Sequence, residues 1–154
     1  MKKLAIVPVL LAAGVLAASP VLAQTTKGEN IVVLKESVTT KLPGGKSYMT
    51  VGNRQVCVTA DPKHPLNGAS GDCDGACVID ASGGSTCMGS CTWVDRDGDI
   101  AFFTWDGQDA GGWKLASGTG KWKSASGQGT WKNADNAPGN FARNAWEGVF
   151  TLKK

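Results

Sequence analysis

A tryptophan-lysine pair recurs every nine residues in the second half of the chain, beginning at Trp113, Trp122 and Trp131. Side chains on a strand alternate between its two faces, so an odd spacing would send successive tryptophans to opposite faces of one continuous strand. Glycine- and serine-rich interruptions at residues 117–120 and 126–129 predict reversals or bulges that return each tryptophan to the same face. The repeat therefore predicts a small, wholly β architecture.

Further strand signals are spread along the chain. The clearest is a hairpin around Asp97 and Gly98, because Asp-Gly tolerates the positive φ of a tight reversal. Residues 24–30 are polar and are expected to be irregular, whereas residues 134–142 are compatible with a short turn of helix. Runs of β-forming residues predict strands at residues 31–34, 47–51, 54–59, 91–95, 99–105, 111–116, 129–133 and 145–152.

The N-terminus has the pattern of a secretory signal of bacterial type. Two lysines precede the apolar residues 4–16, and a small-residue cleavage site precedes Gln24. We interpret residues 1–23 as a removed signal peptide and residues 24–154 as a single domain. A retained membrane anchor is disfavoured because the apolar segment is short. The predicted location is the periplasm or the extracellular medium.

Removal of the signal leaves the charge nearly balanced. The basic residues fall from 16 to 14 against 13 acidic residues, so the formal charge falls from +3 to +1. Without a basic stripe, the chain lacks the electrostatic footprint of a protein that binds nucleic acid or an anionic membrane. We predict neither of these partners, and we expect no membrane span after signal cleavage.

The cysteines predict a disulfide framework, because a secreted chain meets an oxidising environment. The last four of the five cysteines have the spacing C-x3-C-x9-C-x3-C, which also suggests a metal site. Zinc sites more often use C-x2-C pairs, so we predict no metal. Two bridges leave one cysteine over, and five choices of that thiol times three pairings leave 15 patterns open. The five candidates are Cys57, Cys73, Cys77, Cys87 and Cys91.

The alternating residues Asp95, Asp97 and Asp99 resemble the start of a calcium loop, since closely spaced carboxylates supply oxygen ligands. Ile100 stands where such a loop needs glycine, and Asp106 stands where it needs a bidentate glutamate. A solvated hairpin tip is the simpler interpretation, and the sequence leaves open whether these carboxylates bind a cation.

The single histidine, His64, lies in a proline-rich segment and is expected to be a solvated loop residue. No recognisable nucleophile or metalloprotease motif accompanies it. We therefore predict no catalytic residue and no cofactor.

Six tryptophans between positions 93 and 146 are more than a core of this size needs. Filling the core is the ordinary role of a tryptophan, but aromatic side chains also line ligand cavities. Phe103 and Trp105 share one face of their predicted strand and should project together. We predict Trp93, Phe103, Trp105 and Trp113 as ligand-binding residues.

Two segments of the chain resemble a known group of β-barrels. The run CTWVDRDGD at residues 91–99 and the run GTGKWKSASGQGTW at residues 118–131 are similar to patterns in bacterial secreted relatives of the allene oxide cyclase-like and dirigent-like barrels. The resemblance covers residues 50–152 and implies a single antiparallel β-barrel of about eight strands with a central cavity. The cysteine-rich residues 73–91, a disulfide-stapled loop insert, and Ser124 in place of a glycine depart from the pattern.

The functional hypothesis is a secreted or periplasmic β-barrel that binds a small apolar or amphipathic ligand in its lumen, and we favour a binding protein over an enzyme. Two alternatives stay open. One is a cyclase or isomerase that steers a reactive apolar substrate by shape. The other is a structural or interaction protein of the cell envelope with a filled barrel. The sequence specifies neither the ligand nor the oligomeric state.

Overall fold

The computed structural model describes residues 23–35, 37–136 and 139–152, which form nine antiparallel strands in one sheet. Two short 3-10 turns, Pro43–Gly45 and Gly120–Trp122, lie in connections between strands. The described residues include no helix long and apolar enough to cross a bilayer. The strands are β1 (Ala23–Leu34), β2 (Val38–Lys41), β3 (Ser47–Thr59), β4 (Ser70–Ile79), β5 (Ser85–Val94), β6 (Ile100–Asp106), β7 (Ala110–Gly118), β8 (Ser126–Asn136) and β9 (Phe141–Thr151).

The sheet closes into a barrel because β1 pairs along both of its edges. Its neighbours are β9 on one side and β3 on the other, and the remaining strands follow in the order β9-β8-β7-β6-β5-β4-β3. The short strand β2 pairs with the start of β3 as one extra strand. Closure removes the free edges that would otherwise template aggregation. The predicted fold class, an antiparallel barrel of eight strands, is confirmed.

Three local predictions are wrong, because pairing with neighbouring strands outweighs local sequence preference. Residues 24–30 are not irregular but pair with β9 over their whole length. Residues 126–129 do not reverse the chain but open β8, and the start of the segment proposed to be helical continues that strand. Of the predicted signal, residues 1–22 lie outside the described residues, and Ala23 begins β1.

Glycines on neighbouring strands make room for the aromatic rings inside the barrel. A Cβ atom built on Gly75 or Gly89 would overlap the ring of Trp105, and one built on Gly129 or Gly148 would overlap the ring of Trp113. Trp93, Trp146 and Phe150 lie in the same way against Gly71, Gly28 and Gly127. The rings therefore pack against glycine backbone at the wall, which leaves space at the centre of the barrel.

Two disulfides join β4 to β5, as the cysteine count predicts. Cys73 bonds to Cys91 and Cys77 bonds to Cys87, and each pair is directly opposite in the strand register. The segment predicted to be a disulfide-stapled loop insert is the β4–β5 hairpin. Both disulfides therefore link two strands of the barrel wall and lie outside the connecting loop. Cys57, on β3, is the free cysteine and is buried.

Candidate functional site

The lumen of the barrel contains a cavity of about 350 Å³. One end of the barrel is closed by the β3–β4 and β7–β8 connections, from which Leu66 and Trp122 enter the buried core. All four residues predicted to bind a ligand, Trp93, Phe103, Trp105 and Trp113, line the cavity. Their ligand-binding role stays a prediction, but the strands bring them to one place.

The aromatic side chains of the lumen hold one another in position. Phe103 meets Trp113 edge-on with ring centroids 5.7 Å apart, and Trp113 stacks on Phe150 at 5.0 Å. Trp105 meets Trp131 edge-on at 6.2 Å. The Nε1 atoms of Trp113 and Trp131 donate hydrogen bonds to backbone carbonyl oxygens at 3.1 and 2.9 Å. These contacts fix an apolar surface before any ligand arrives.

The polar side chains of the lumen are mainly amides, which sequence reasoning missed. We call five of them the amide arc: Asn30 on β1, Asn53 and Gln55 on β3, Asn133 on β8 and Asn144 on β9. Within the arc, the Nε2 of Gln55 donates a hydrogen bond to the Oδ1 of Asn53 at 2.7 Å. The sequence did contain one signal for this group of amides. Asn53 and Gln55 lie two residues apart in a strand-forming segment, which places both side chains on one face of the strand.

The free thiol of Cys57 also lines the lumen. Burial raises the pKa of Cys57 to about 12, and a hydrogen bond with Trp146, which lowers this pKa, offsets only part of that effect. The thiol is therefore protonated at neutral pH and is a poor nucleophile. The described residues that line the cavity are all uncharged at this pH, so the lumen offers shape, aromatic surface and neutral hydrogen-bonding groups.

The prediction that His64 is solvated is wrong, since only 2% of this residue is exposed. It lies in the β3–β4 loop, where its Nδ1 accepts a hydrogen bond from the backbone N–H of Leu66 at 3.2 Å. Its ring meets Phe150 edge-on at 5.2 Å. Burial lowers the pKa of His64, and the negative charge of Asp61 opposes this change to a smaller extent. The histidine is thus a neutral part of the packing at the closed end.

We expect the protein to lose stability as the pH falls below 6.5, the ordinary pKa of histidine. The native pKa of His64 is the lower one, so between the two pKa values the unfolded chain binds a proton that the native state does not. The loss reaches at most about 1.4 kcal/mol per pH unit for this one group. Urea unfolding of the wild type and of His64→Leu at pH 7.5 and pH 5 checks this, because the variant should lose less. An equal loss in both proteins would contradict it.

Asp95 and Lys121 form an ion pair near the closed end of the barrel. The Asp95 side chain is only 2% exposed and lies 2.7 Å from the Lys121 Nζ. It also accepts hydrogen bonds from the Trp122 Nε1 at 2.8 Å and from the backbone N–H groups of Asp97 and Asp99 at 2.9 and 3.1 Å. Burial raises the pKa of Asp95, but the hydrogen bonds from Lys121 and Trp122 outweigh it and hold the pKa below its usual range.

The cation among the three alternating carboxylates is the lysine of the chain itself. Lys121 Nζ lies 2.9 Å from Asp97 and 3.0 Å from Asp99, in addition to its contact with Asp95. Burial lowers the pKa of Lys121, but the three carboxylates together raise it above its ordinary value. Within the described ranges, no group of three or more His, Cys, Asp or Glu side chains is arranged to hold a metal ion. These carboxylates therefore stabilise the hairpin turn through an internal ion-pair network.

No protein-family model and no curated protein matches this chain. Its fold is similar to solved structures of dirigent proteins. The pterocarpan synthase dirigent protein GePTS1 superposes with a TM-score of 0.55 and 12% identity, over 94% of this chain and 97% of that one. The pterocarpan synthase dirigent protein PsPTS1 gives a TM-score of 0.53 and 12% identity, over 86% and 97%. Both support the dirigent-like fold, whereas the bacterial origin and the likeness to allene oxide cyclases stay predictions.

Proposed function

We propose that this protein binds a small apolar or amphipathic molecule in the lumen of its barrel and acts as a binding protein outside the cytoplasm. The cavity of about 350 Å³ carries the proposal. Pockets that bury small ligands start at about this volume, and they combine mainly apolar walls with a few convergent polar groups. The aromatic residues and the amide arc supply that combination.

The rigidity of the wall supports binding. Ring-to-ring contacts hold Trp105, Trp113 and Phe103 in place, and two disulfides tie β4 to β5 beside them. A site that is already ordered spends less conformational entropy when its ligand enters. The disulfides are also compatible with an oxidising compartment, which agrees with the predicted secretory signal.

A cyclase or isomerase that steers a substrate by shape is the second candidate. Two structural neighbours are described as pterocarpan synthase dirigent proteins, which favours this candidate at the level of the fold. The uncharged lining argues against general acid-base catalysis, because that requires a group that titrates near the working pH. The third hypothesis, a barrel filled solid, is disfavoured by the cavity itself.

The test is binding of the neutral fluorescent probe N-phenyl-1-naphthylamine. Ala142 lines the cavity on β9, so Ala142→Phe places a bulky side chain in the lumen. Ala145 lies on the same strand but does not line the cavity, which makes Ala145→Phe the matched control. We expect the wild type and Ala145→Phe to bind the probe and Ala142→Phe to bind it at least about tenfold more weakly. Melting temperatures verify that all three proteins fold.

Two results would refute the proposed site. One is the absence of saturable probe binding to the folded wild type. The other is equal affinity of the wild type and Ala142→Phe, which would place the probe outside the lumen.

A further inference from the structure

We infer that the lumen selects an uncharged ring compound that carries hydroxyl groups, and that Asn30, Asn133 and Asn144 determine this specificity. The inference rests on the proposed function and names the chemical class of the ligand. Four features of the lumen lead to it: its two unlike sides, the alignment of its amides, an unsatisfied acceptor and the neutrality of its lining.

The lumen has an aromatic side and an amide side. In a ring of eight strands, strands four positions apart face each other across the barrel. The strand order places β5, β6 and β7, which carry Trp93, Trp105 and Trp113, opposite β9, β1 and β3. The facing strands carry the amides Asn144, Asn30, Asn53 and Gln55. Strand β9 also carries Trp146 and Phe150, whose rings contact His64 at the closed end of the barrel. Farther from that end, a guest meets the aromatic rings of β6 and β7 on one side and amides on the other.

Three amides of the arc are aligned across neighbouring strands. Asn133 of β8 pairs in register with Asn144 of β9, and Asn144 pairs in register with Asn30 of β1. Neighbouring strands lie about 4.8 Å apart, so the three side chains form a row about 10 Å long. Each amide offers both a donor and an acceptor, and a hydroxyl group can satisfy both. A ring compound with several hydroxyl groups along one edge can hydrogen-bond to several of these amides, whereas a compound with a single polar atom can engage only one.

One member of the row lacks a partner. The Oδ1 atom of Asn30 is buried and accepts no hydrogen bond from the described residues. An unsatisfied buried acceptor is destabilising, so rotation of this amide toward a guest hydroxyl would be favourable. Asn133 donates its Nδ2 to Asp109 at 3.2 Å, which leaves its carbonyl oxygen to accept from a guest.

The lining also excludes charged guests. Every described residue that lines the cavity is uncharged at neutral pH, and a buried charge without a partner of opposite sign is strongly disfavoured. The aromatic side adds a second requirement, because it needs an apolar face to contact. A ring that is apolar on its faces and hydroxylated at its edge, as in a sugar or an aryl glycoside, meets both requirements.

The test compares three compounds that share one aromatic body: 2-naphthyl β-D-glucopyranoside, 2-naphthyl sulfate and 2-methoxynaphthalene. Isothermal titration calorimetry on the wild type should give an affinity for the glucoside at least about tenfold higher than for either of the others. Asn144→Leu removes the amide at similar volume and should lower the glucoside affinity about tenfold, with the affinity for 2-methoxynaphthalene unchanged. Asn140→Leu, an exposed change in the β8–β9 connection, is the control.

The outcomes separate this inference from the proposed function. If all three compounds bind with similar affinity and Asn144→Leu has no effect, the inference is overturned and the proposed function stands. If the sulfate binds most tightly, the inference is also overturned. If neither these compounds nor N-phenyl-1-naphthylamine bind, both fail. The ranking on the wild type is informative even if Asn144→Leu does not fold.

Discussion

Replacement of Asp95 by alanine should lower the free energy of unfolding by about 3–4 kcal/mol. The carboxylate is buried and accepts hydrogen bonds from Lys121, from the indole of Trp122 and from two backbone N–H groups. Its removal leaves the Nε1 of Trp122 without a partner in the core. Urea denaturation followed by circular dichroism measures the effect.

Asp97→Ala is the matched control for this prediction. Asp97 also pairs with Lys121, at 2.9 Å, but its side chain is 76% exposed. Exposed ion pairs contribute little because water screens them, so we expect a loss below about 1 kcal/mol. Both substitutions remove one negative charge from the same turn. Equal losses would show that burial of Asp95 is not the source of its stabilising effect.

The second large effect is expected at Gly89, behind the ring of Trp105. A methyl group at this position would overlap both the Trp105 ring and the backbone oxygen of Asp74. The ring can shift into the lumen but the backbone oxygen cannot turn away, so Gly89→Ala should destabilise the protein by about 2–3 kcal/mol. A displaced Trp105 would also narrow the cavity, and the affinity for N-phenyl-1-naphthylamine should fall. Denaturation and probe titration on the same variant measure both effects.

Gly52→Ala serves as the control for Gly89→Ala. Gly52 lies on β3, and an added Cβ would first meet a side-chain oxygen of Asp74 at 3.1 Å, which can move aside. We expect a change within about 0.5 kcal/mol and unaltered probe binding. A loss at Gly52 as large as that at Gly89 would show that an added methyl group is destabilising at either position, and the packing of Trp105 against glycine would not explain the effect.

Local sequence predicted those strands that are rich in β-branched and aromatic residues, such as β6, and it predicted the turn at Asp97 and Gly98. It did not predict β4 and the first half of β5, because their glycines are typical of loops. The ring of Trp105, which lies on another strand, occupies the space that side chains at Gly75 and Gly89 would need. A contact of this kind depends on the register of three strands, so it cannot be predicted from a short stretch of sequence.

In the candidate site, too, some residues could be placed from local sequence and others could not. The shared face of Phe103 and Trp105 follows from alternation along one strand, so the sequence placed these two residues together. The repeat also placed Trp113 and Trp131 on one side of the wall, but Trp122 lies in a 3-10 turn at the closed end. The amide arc joins Asn30 to Asn144 through the pairing of β1 with β9. These residues are far apart in the chain, so only the closed topology brings them together.

The pairing of the first strand with the last also determines when the lumen becomes closed during folding. Ladders from β3 to β8 connect neighbours in sequence, and β1 reaches β3 after a short stretch of chain. The lumen stays open along one side until β9 enters between β8 and β1. Contacts of such large sequence separation form slowly because the chain must first be brought together. A chain that still lacks β9 therefore has an open lumen, and the barrel closes only when its last strand docks.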